Sequence, residues 1–202
     1  MTETPRLLIA TNNKGKLIEL QDLLKDLSVE LHTPADLGIS IEIKEDGATY
    51  AENAAKKALA FTHASGLVSL ADDTGLEVDA LSGKPGLHSN RFGPLPYTDA
   101  TRRAHLLEQL SRFPGPWNAR FRATVAVASP GGSVEIVEGV CEGYITPGER
   151  GSSGFGYDPI FLFPELGLTM AELDMETKNR LSHRGQAVRN AIPIIKKLLG
   201  LD

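Results

Sequence analysis

The feature that most constrains the fold lies at the start of the chain. Leu7–Ala10 is a short apolar run of strand length, and the polar segment Thr11–Lys16 follows it directly. Leucines then recur at helical spacing from Leu17 to Leu27, with charged residues between them. This order of strand, polar loop and amphipathic helix is typical of α/β proteins, where ligands bind at the end of a strand. The free N–H groups at the start of such a helix suit a phosphate.

The rest of the chain continues to alternate between strands and helices. Strands are predicted at Val29–Leu31, Ile39–Ile43, Val68–Ala71, Phe121–Ala128, Val134–Ile145 and Ile160–Phe163. Helices are predicted from near Tyr50 onward, over Thr98–Phe113 and over Gly185–Leu199. Thr49 and Glu52 form a capping-box pattern, and Pro193 predicts a kink or a fresh helix start. Pro130-Gly131-Gly132 indicates a hairpin, so hairpins and crossovers together indicate an α/β fold with a mixed sheet.

The composition excludes several classes of protein. The chain has 202 residues and a formal net charge of −5, so it lacks the basic character that binding to long nucleic acids requires. Cys141 is the only cysteine, which excludes an intramolecular disulfide. No apolar run approaches the roughly 18 residues of a membrane span, and the run in Met1–Ala10 is too short for a secretory signal. We therefore expect a soluble cytoplasmic protein with a single domain over residues 1–202, in which Ser82–Pro96 is the best hinge candidate.

The segment between the first strand and the first helix is the first candidate site. Its side chains are rich in hydrogen-bond donors around a flexible glycine, in the order Thr11, Asn12, Asn13, Lys14, Gly15 and Lys16. It lacks the G-x-x-x-x-G-K-[ST] pattern of a P-loop. Phosphate binding and a plain Asn-rich turn that caps the helix explain these residues equally well.

Two carboxylates follow the predicted strand Val68–Ala71 and form a second candidate. Side chains alternate along an extended chain, so only one of Asp72 and Asp73 need point into a site. A metal ligand or a general base is one interpretation. A turn whose aspartates bond their own backbone is the other, and it is favoured when the pair is taken alone.

Charged residues around the helix that begins near Tyr50 form a third candidate. Glu42, Glu45 and Asp46 offer the hard oxygen ligands that suit Mg²⁺, which usually takes one or two carboxylates plus substrate phosphates. Solvated charge near a helix N-terminus explains the same residues, and it is favoured when they are taken alone. Lys57 lies on the polar face of this helix, from which a lysine can also reach a phosphate.

Two segments in the last quarter of the chain are typical of a base-binding site. Glycines flank Phe155 within Ser153–Pro159, so its ring can stack on a base while Asp158 bonds a base edge. Lys178 and Ser182-His183-Arg184 supply contacts to anions and further donors. Each segment also has a structural interpretation. The first can be a turn in which Phe155 or Tyr157 covers the core, and the second can be a serine helix cap with ordinary charges. The other histidines show no zinc spacing, and Cys141 is interpreted as a passive thiol.

Taken in order, these segments resemble the motifs of the inosine triphosphate pyrophosphatase family, over nearly the whole chain. The matching motifs are Thr11-Asn12-Asn13-Lys14-Gly15-Lys16, Glu45-Asp46-Gly47 with Glu52-Asn53-Ala54, Ala71-Asp72-Asp73-Thr74-Gly75-Leu76, Pro85-Gly86, Phe155-Gly156-Tyr157-Asp158-Pro159 and Ser182-His183-Arg184-Gly185. After Pro85-Gly86 the family tends to show an aromatic residue and then a small residue before an arginine. His88 and Asn90 hold those places here, so the chain departs from the pattern around Arg91.

The resemblance implies a fold and a reaction. The implied fold has two lobes around a long mixed sheet flanked by helices, with the nucleotide in a cleft between them and a homodimer as the usual assembly. The implied reaction uses Mg²⁺ to hydrolyse dITP, ITP and XTP between the α- and β-phosphates, which yields a monophosphate and pyrophosphate. Such an enzyme removes non-standard purine nucleotides from the nucleotide pool.

The resemblance also implies roles for individual residues. Glu45 and Asp73 would bind the metal, and Asp73 would accept the proton. The residues implied to bind substrate are Thr11, Asn12, Asn13, Lys14, Gly15, Lys16, Lys57, Thr74, Phe155, Gly156, Tyr157, Asp158, Lys178, His183 and Arg184. Hydrogen bonds from His183 or Arg184 to the 6-oxo group of hypoxanthine or xanthine would reject adenine, because an unpaired buried donor costs about 1–3 kcal/mol.

Two alternatives stay open at this point. A septum-inhibitor-type nucleotide pyrophosphatase acts on dTTP or modified pyrimidines, and Phe155–Asp158 together with Ser182–Arg184 argues against it. A module that binds purine nucleotides without turnover needs no metal-linked base, so Asp73 and Glu45 argue against that function. A Nudix hydrolase is disfavoured, because the G-x₅-E-x₇-R-E pattern is absent.

Overall fold

The computed structural model describes residues 4–201 and contains one seven-stranded mixed sheet with helices. The strands are β1 (Arg6–Ile9), β2 (Glu30–His32), β3 (Val68–Val78), β4 (Trp117–Ala128), β5 (Val134–Ile145), β6 (Phe161–Phe163) and β7 (Leu168–Thr169). The helices are α1 (Lys14–Leu24), α2 (Tyr50–Ser65), α3 (Asp99–Leu110), α4 (Met175–Leu181) and α5 (His183–Leu199). Short 3₁₀ turns occupy Asp79–Leu81, Gly86–Arg91, Asp158–Ile160 and Met170–Glu172.

The strand order in the sheet is β2-β1-β3-β4-β5-β6-β7. β1 runs parallel to both β2 and β3, whereas β6 runs antiparallel to β5 and β7. The parallel strands are joined through α1 and α2, as a parallel connection requires. The prediction of an α/β fold with a mixed sheet is therefore confirmed. Within the described part of the chain, no helix has the length and apolar character to cross a bilayer.

Contacts between Cα atoms divide the chain into two compact units. Unit 1 contains the described residues up to Asp73, together with Ala123–Gly139 and the chain from Arg184 onward. Unit 2 contains Thr74–Arg122 and Val140–His183. The single domain over residues 1–202 stays a prediction.

In unit 1, alternate strand residues pack against helices on the two opposite faces of the sheet. Leu7 and Ile9 belong to a buried cluster with residues of α1 and α5. Leu8 and Ala10 belong to a second cluster, which contains Ala54, Ala58 and Phe61 of α2. We call these the α1/α5 face and the α2 face. The period of two along a strand thus decides which helix a side chain meets.

Unit 2 has a separate buried cluster of larger side chains. Phe121 and Phe161 lie at its centre, with ring centroids 4.8 Å apart, and Leu106 and Leu110 of α3 join them. Tyr157 also belongs to this cluster. The helix α3 is therefore fixed to unit 2 by its apolar face.

Several element boundaries agree with the sequence-based expectations. Thr49 caps α2 by accepting a hydrogen bond from the Glu52 amide, while the Glu52 carboxylate accepts from Ala48 rather than from the cap residue. Gly66 ends α2 in the left-handed conformation. The expected hairpin forms between β4 and β5. The helix α5 runs through Pro193, so the fresh helix start proposed there is wrong, and the kink stays a prediction.

Three expectations were wrong or incomplete. Ile39–Ile43 is not a strand: its isoleucines pack on the α2 face, so the alternating pattern reflects burial without strand pairing. β3 does not end at Ala71 but continues to Val78, so Asp72 and Asp73 lie inside a strand and not in a turn. The helix α4 and the strand β7 were not predicted. The pattern Asp174-x-x-Thr177 was an available signal, since Asp174 caps α4.

Candidate active site

The polar segment after β1 forms the N-terminus of α1. Asn13 is the cap residue, and its Oδ1 accepts a hydrogen bond from the Lys16 amide at 3.1 Å. Thr11 Oγ1 accepts from the Asn13 amide at 3.2 Å. Asn12, Asn13 and Lys14 are exposed, and Gly15 is half-buried. The capping role is therefore present, and it leaves the exposed Asn12 and Lys14 side chains at a helix N-terminus, where anions bind favourably.

Asp72 and Asp73 point to opposite faces of β3, because successive side chains alternate along a strand. On one side, the Asp72 carboxylate lies 3.1 Å from Lys16 Nζ and 3.1 Å from Arg184 Nε. Burial alone disfavours the charged carboxylate, but Lys16 and Arg184 together hold the pKa of Asp72 well below its usual range. Burial lowers the pKa of Lys16.

Arg184 lies at the start of α5 and is buried between two carboxylates. Its Nη1 donates to Glu19 and its Nε donates to Asp72. The sequence analysis assigned this guanidinium to a base, and it missed Glu19, which lies one turn after Lys16 on α1. In the structure, these two donors belong to an ion-pair network of unit 1. A contact between Arg184 and a base stays a prediction.

On the other side of β3, Asp73 faces α2. Asn53 Nδ2 donates to Asp73 Oδ2 at 3.0 Å, and Lys57 Nζ lies 3.5 Å from Asp73 Oδ1. Lys57 also donates to Glu45 Oε1 at 2.7 Å, so one ammonium lies between two carboxylates. Burial raises the pKa of Asp73 despite the lysine. The pKa of Lys57 is raised, because the surrounding carboxylates outweigh its burial.

Asn53 links the two acidic segments of this cluster, and sequence reasoning gave it no role. Its Oδ1 accepts from the Gly47 amide at 2.8 Å while its Nδ2 donates to Asp73. It therefore holds the segment that carries Glu45 beside the strand that carries Asp73. The available signal was its place in the Glu52-Asn53-Ala54 motif, which the chain shares with the family that it resembles.

The donor set of this cluster fits a magnesium ion. Glu45 and Asp73 supply oxygen atoms to the same cation, the Lys57 ammonium. Among residues 4–201, no group of three or more Asp, Glu, His or Cys side chains makes a protein-only metal cage. Mg²⁺ commonly binds through one or two carboxylates and completes its shell with water and phosphate oxygens. The two carboxylates suit that pattern.

In unit 2, the segment that carries Phe155 is tied to α4. Asp158 Oδ2 accepts from the Phe155 amide at 2.8 Å and from Lys178 Nζ at 2.6 Å. Lys178 Nζ also lies 5.3 Å from the centroid of the Phe155 ring, which is partly exposed. A Cβ on Gly154 would lie 2.1 Å from Asp158 Oδ2, so glycine is required for this close approach. Phe155, Asp158 and Lys178 thus form one interacting group.

The next predicted substrate ligands are Tyr157, His183 and Thr74, and each has different surroundings. The Tyr157 side chain is buried in the core, its hydroxyl donates to the Ser89 carbonyl at 2.9 Å, and burial raises its pKa. The structure therefore gives this ring a packing role. His183 is buried too, with its ring stacked on Phe121 at 4.6 Å between centroids and its Nδ1 3.7 Å from Cys141 Sγ. Thr74 is half-buried in β3.

With this geometry described, comparison with known proteins identifies the family. Residues 7–194 match the Ham1 family. The chain belongs to the Ham1 family. The predicted resemblance is confirmed, since the matched residues span nearly the whole chain and include the segment from Thr11 to Gly185 in which the motifs lie.

Relatives and solved structures of Ham1 proteins agree over almost the whole chain. A Desulforamulus reducens protein named dITP/XTP pyrophosphatase is 47% identical over 194 residues, or 96% of each chain. A Thermus thermophilus protein of the same name is 45% identical, over 95% of this chain and 92% of that one. The structure of a HAM1 protein from Coxiella burnetii is similar with a TM-score of 0.85 and 37% identity, over 96% of this chain and 99% of that chain.

Proposed function

We propose that this Ham1 protein is a pyrophosphatase for non-standard purine nucleoside triphosphates. Its substrates would be dITP, ITP and XTP, and its products the nucleoside monophosphate and pyrophosphate. The single observation that carries the proposal is the cluster on the α2 face, where Asp73, Glu45 and Lys57 meet beside a strand of the sheet. Relatives at 45–47% identity carry the name dITP/XTP pyrophosphatase, which supports the same substrates here.

The residues of unit 1 suit anhydride hydrolysis. A water molecule attacks phosphorus, the bond to the bridging oxygen breaks, and Asp73 accepts the proton of the water. The raised pKa of Asp73 favours proton acceptance, since a general base works best when its pKa approaches the working pH. Asn53 orients this carboxylate. Lys57, Lys16 and the donors of the Thr11–Lys16 segment would neutralise the phosphate charge.

Glu45 and Asp73 would hold Mg²⁺. When bound, this ion would neutralise phosphate charge and withdraw electron density from the bond that breaks. Lys57 lies between the two carboxylates, where its ammonium would add a further positive charge for the phosphates.

The residues of unit 2 suit the base. The partly exposed Phe155 ring would stack on it, and the Lys178 ammonium beside that ring is a donor for a 6-oxo group. Because adenine offers an amino group at that position, it would leave a buried donor unpaired. Asp158 and His183 are proposed as further contacts around the base and sugar. We further propose that the protein is a cytoplasmic homodimer. It would bind free nucleotides, and neither nucleic acid nor membranes.

Pyrophosphate release from a panel of nucleotides tests this function. The panel contains ITP, XTP, ATP, GTP and dTTP, each with Mg²⁺ and with a chelator. We expect rapid turnover of ITP and XTP only, and its loss with the chelator. Turnover of dTTP alone would indicate a septum-inhibitor-type enzyme, and binding of ITP without any turnover would indicate a nucleotide-binding module.

A further inference from the structure

The loop Ser153–Asp158, here called the Phe155 loop, contains two glycines that give the backbone around its aromatic residue high intrinsic freedom. Glycines stand on both sides of Phe155, and Gly156 has a φ of 62°, in the left-handed region. Glycine loses more conformational freedom on ordering than any other residue. A ring carried by such a segment needs outside contacts to keep one position.

The first two turns of α3 supply those contacts, one to the amide and one to the carbonyl of Gly156. Asp99 Oδ2 accepts a hydrogen bond from the Gly156 amide at 2.7 Å. Arg103 Nη1 donates to the Gly156 carbonyl at 2.8 Å. The amide belongs to the peptide that joins Phe155 to Gly156, so Asp99 fixes the backbone directly after the aromatic residue. Both bonds involve a charged partner, which makes them stronger than neutral hydrogen bonds.

Asp99 and Arg103 are four residues apart and lie on the same side of α3. Each of these two side chains also pairs with a charged side chain. Arg103 makes a two-pronged pair with Glu149, with both N–O distances 2.9 Å. Asp99 pairs with Arg102, whose Nη1 also donates to the carbonyls of Asn90 and Tyr97 at 3.1 Å. The apolar face of α3 is buried in the core, so the helix is a firm support.

We propose that Asp99 and Arg103 are positioning residues that hold the Phe155 loop in the conformation that receives the purine base. This inference rests on the proposed function. Neither side chain contacts the substrate in this proposal. Without them, Gly156 loses two charge-assisted hydrogen bonds, and the nucleotide must order this part of the loop when it binds, which weakens binding of substrate and transition state alike. Uniform weakening of that kind raises KM and leaves kcat unchanged.

Steady-state kinetics with ITP and inhibition by inorganic tripolyphosphate test the proposal. Arg103→Met keeps an unbranched apolar stem and removes the guanidinium, and we expect KM for ITP to rise about tenfold at constant kcat. The inhibition constant of tripolyphosphate stays at the wild-type value, because this probe has no base. Arg103→Lys keeps one donor and restores part of the affinity. Arg112→Met, which removes an exposed arginine just after α3, is the matched control and leaves KM unchanged.

Three results would overturn the proposal. They are an unchanged KM in Arg103→Met, a fall in kcat without a rise in KM, and an equal loss of tripolyphosphate inhibition. The last result would show a general disturbance of the protein rather than a loosened base loop.

Amide hydrogen exchange separates this inference from the proposed function. In Asp99→Ala we expect the Gly156 amide to exchange at least about tenfold faster than in the wild type, because it loses its acceptor. Wild-type exchange rates in that variant would contradict the positioning role whatever the enzyme hydrolyses. A wild-type protein that hydrolyses no nucleotide would overturn the proposed function and the role toward a base, while the exchange rates would still decide whether α3 holds the loop.

Discussion

Asp72 and Asp73 are neighbours on β3, yet their carboxylates lie in opposite environments. The Asp72 side chain is 0% exposed and pairs with two buried cations, whereas Asp73 is 9% exposed and shares one lysine with Glu45. The pKa of Asp72 is accordingly held low and that of Asp73 is raised by burial. The difference shows that neighbouring residues of a strand can carry carboxylates with opposite pKa shifts, because consecutive side chains meet different helices.

The largest effect is expected from a change of Asp73. Asp73→Asn removes the proposed proton acceptor at nearly constant volume, and loss of a general base typically costs about 10²–10⁴-fold in rate. The melting temperature should stay close to that of the wild type, because a buried carboxylate with a raised pKa contributes little stability. Pyrophosphate release and thermal unfolding measure the two quantities. Full activity in this variant would refute the proposed role of Asp73.

A change of Asp72 should lower stability more than activity, which is the opposite of the effect expected for Asp73. Asp72→Asn leaves Lys16 and Arg184 buried without their shared counter-charge, and breaking a buried ion pair costs about 3–5 kcal/mol in the free energy of unfolding. Urea denaturation measures the loss. Asp26→Asn, at an exposed aspartate after α1, is the control and should change stability by less than about 0.5 kcal/mol. Similar unfolding curves for the two variants would mean that the ion-pair network is not stabilising.

A smaller effect is expected from the residue that orients Asp73. Asn53→Ala removes both the bond to Asp73 and the bond to the Gly47 amide, and loss of such buried bonds costs about 1–3 kcal/mol. We expect kcat for ITP to fall about tenfold with a modest loss of stability, since about 1.4 kcal/mol corresponds to tenfold. Asn190→Ala, which removes an exposed bond to the Glu138 carbonyl, serves as the control. Equal kcat in both variants would argue against a positioning role for Asn53.

The smallest effect concerns Cys141, a buried thiol of unit 2. Burial raises the pKa of Cys141 to about 12, so at pH 8 the group is a thiol and not a reactive thiolate. Iodoacetamide at pH 8 should leave the native protein unlabelled and label it fully in urea. Rapid labelling of the native protein would show that this part of unit 2 opens readily. It would also weaken the inference that burial raises the pKa values of Cys141 and Asp73.

Much of the fold could be predicted from the sequence, because patterns of a few neighbouring residues specify individual strands, helix caps and turns. The apolar run before Thr11, the cap at Thr49 and the hairpin glycines each specify their own neighbourhood. Ile39–Ile43 was predicted wrongly for an instructive reason. Its alternation records burial of every second residue, and burial without a paired strand leaves the same pattern in the sequence. β3 was cut short because charged residues inside a strand give no apolar signal.

The candidate site could be predicted in its residue types and not in its pairings. The sequence by itself determined that carboxylates, lysines and a glycine-flanked phenylalanine occur in family order along a mixed α/β chain. Only the tertiary structure decided that Arg184 bonds Glu19 and Asp72, that Asn53 joins Gly47 to Asp73, and that α3 holds Gly156. Those partners are 6 to 165 residues apart along the chain. Hydrogen bonds and ion pairs act over a few ångströms of space, so their partners are fixed by how strands and helices pack and leave no periodic trace in the sequence.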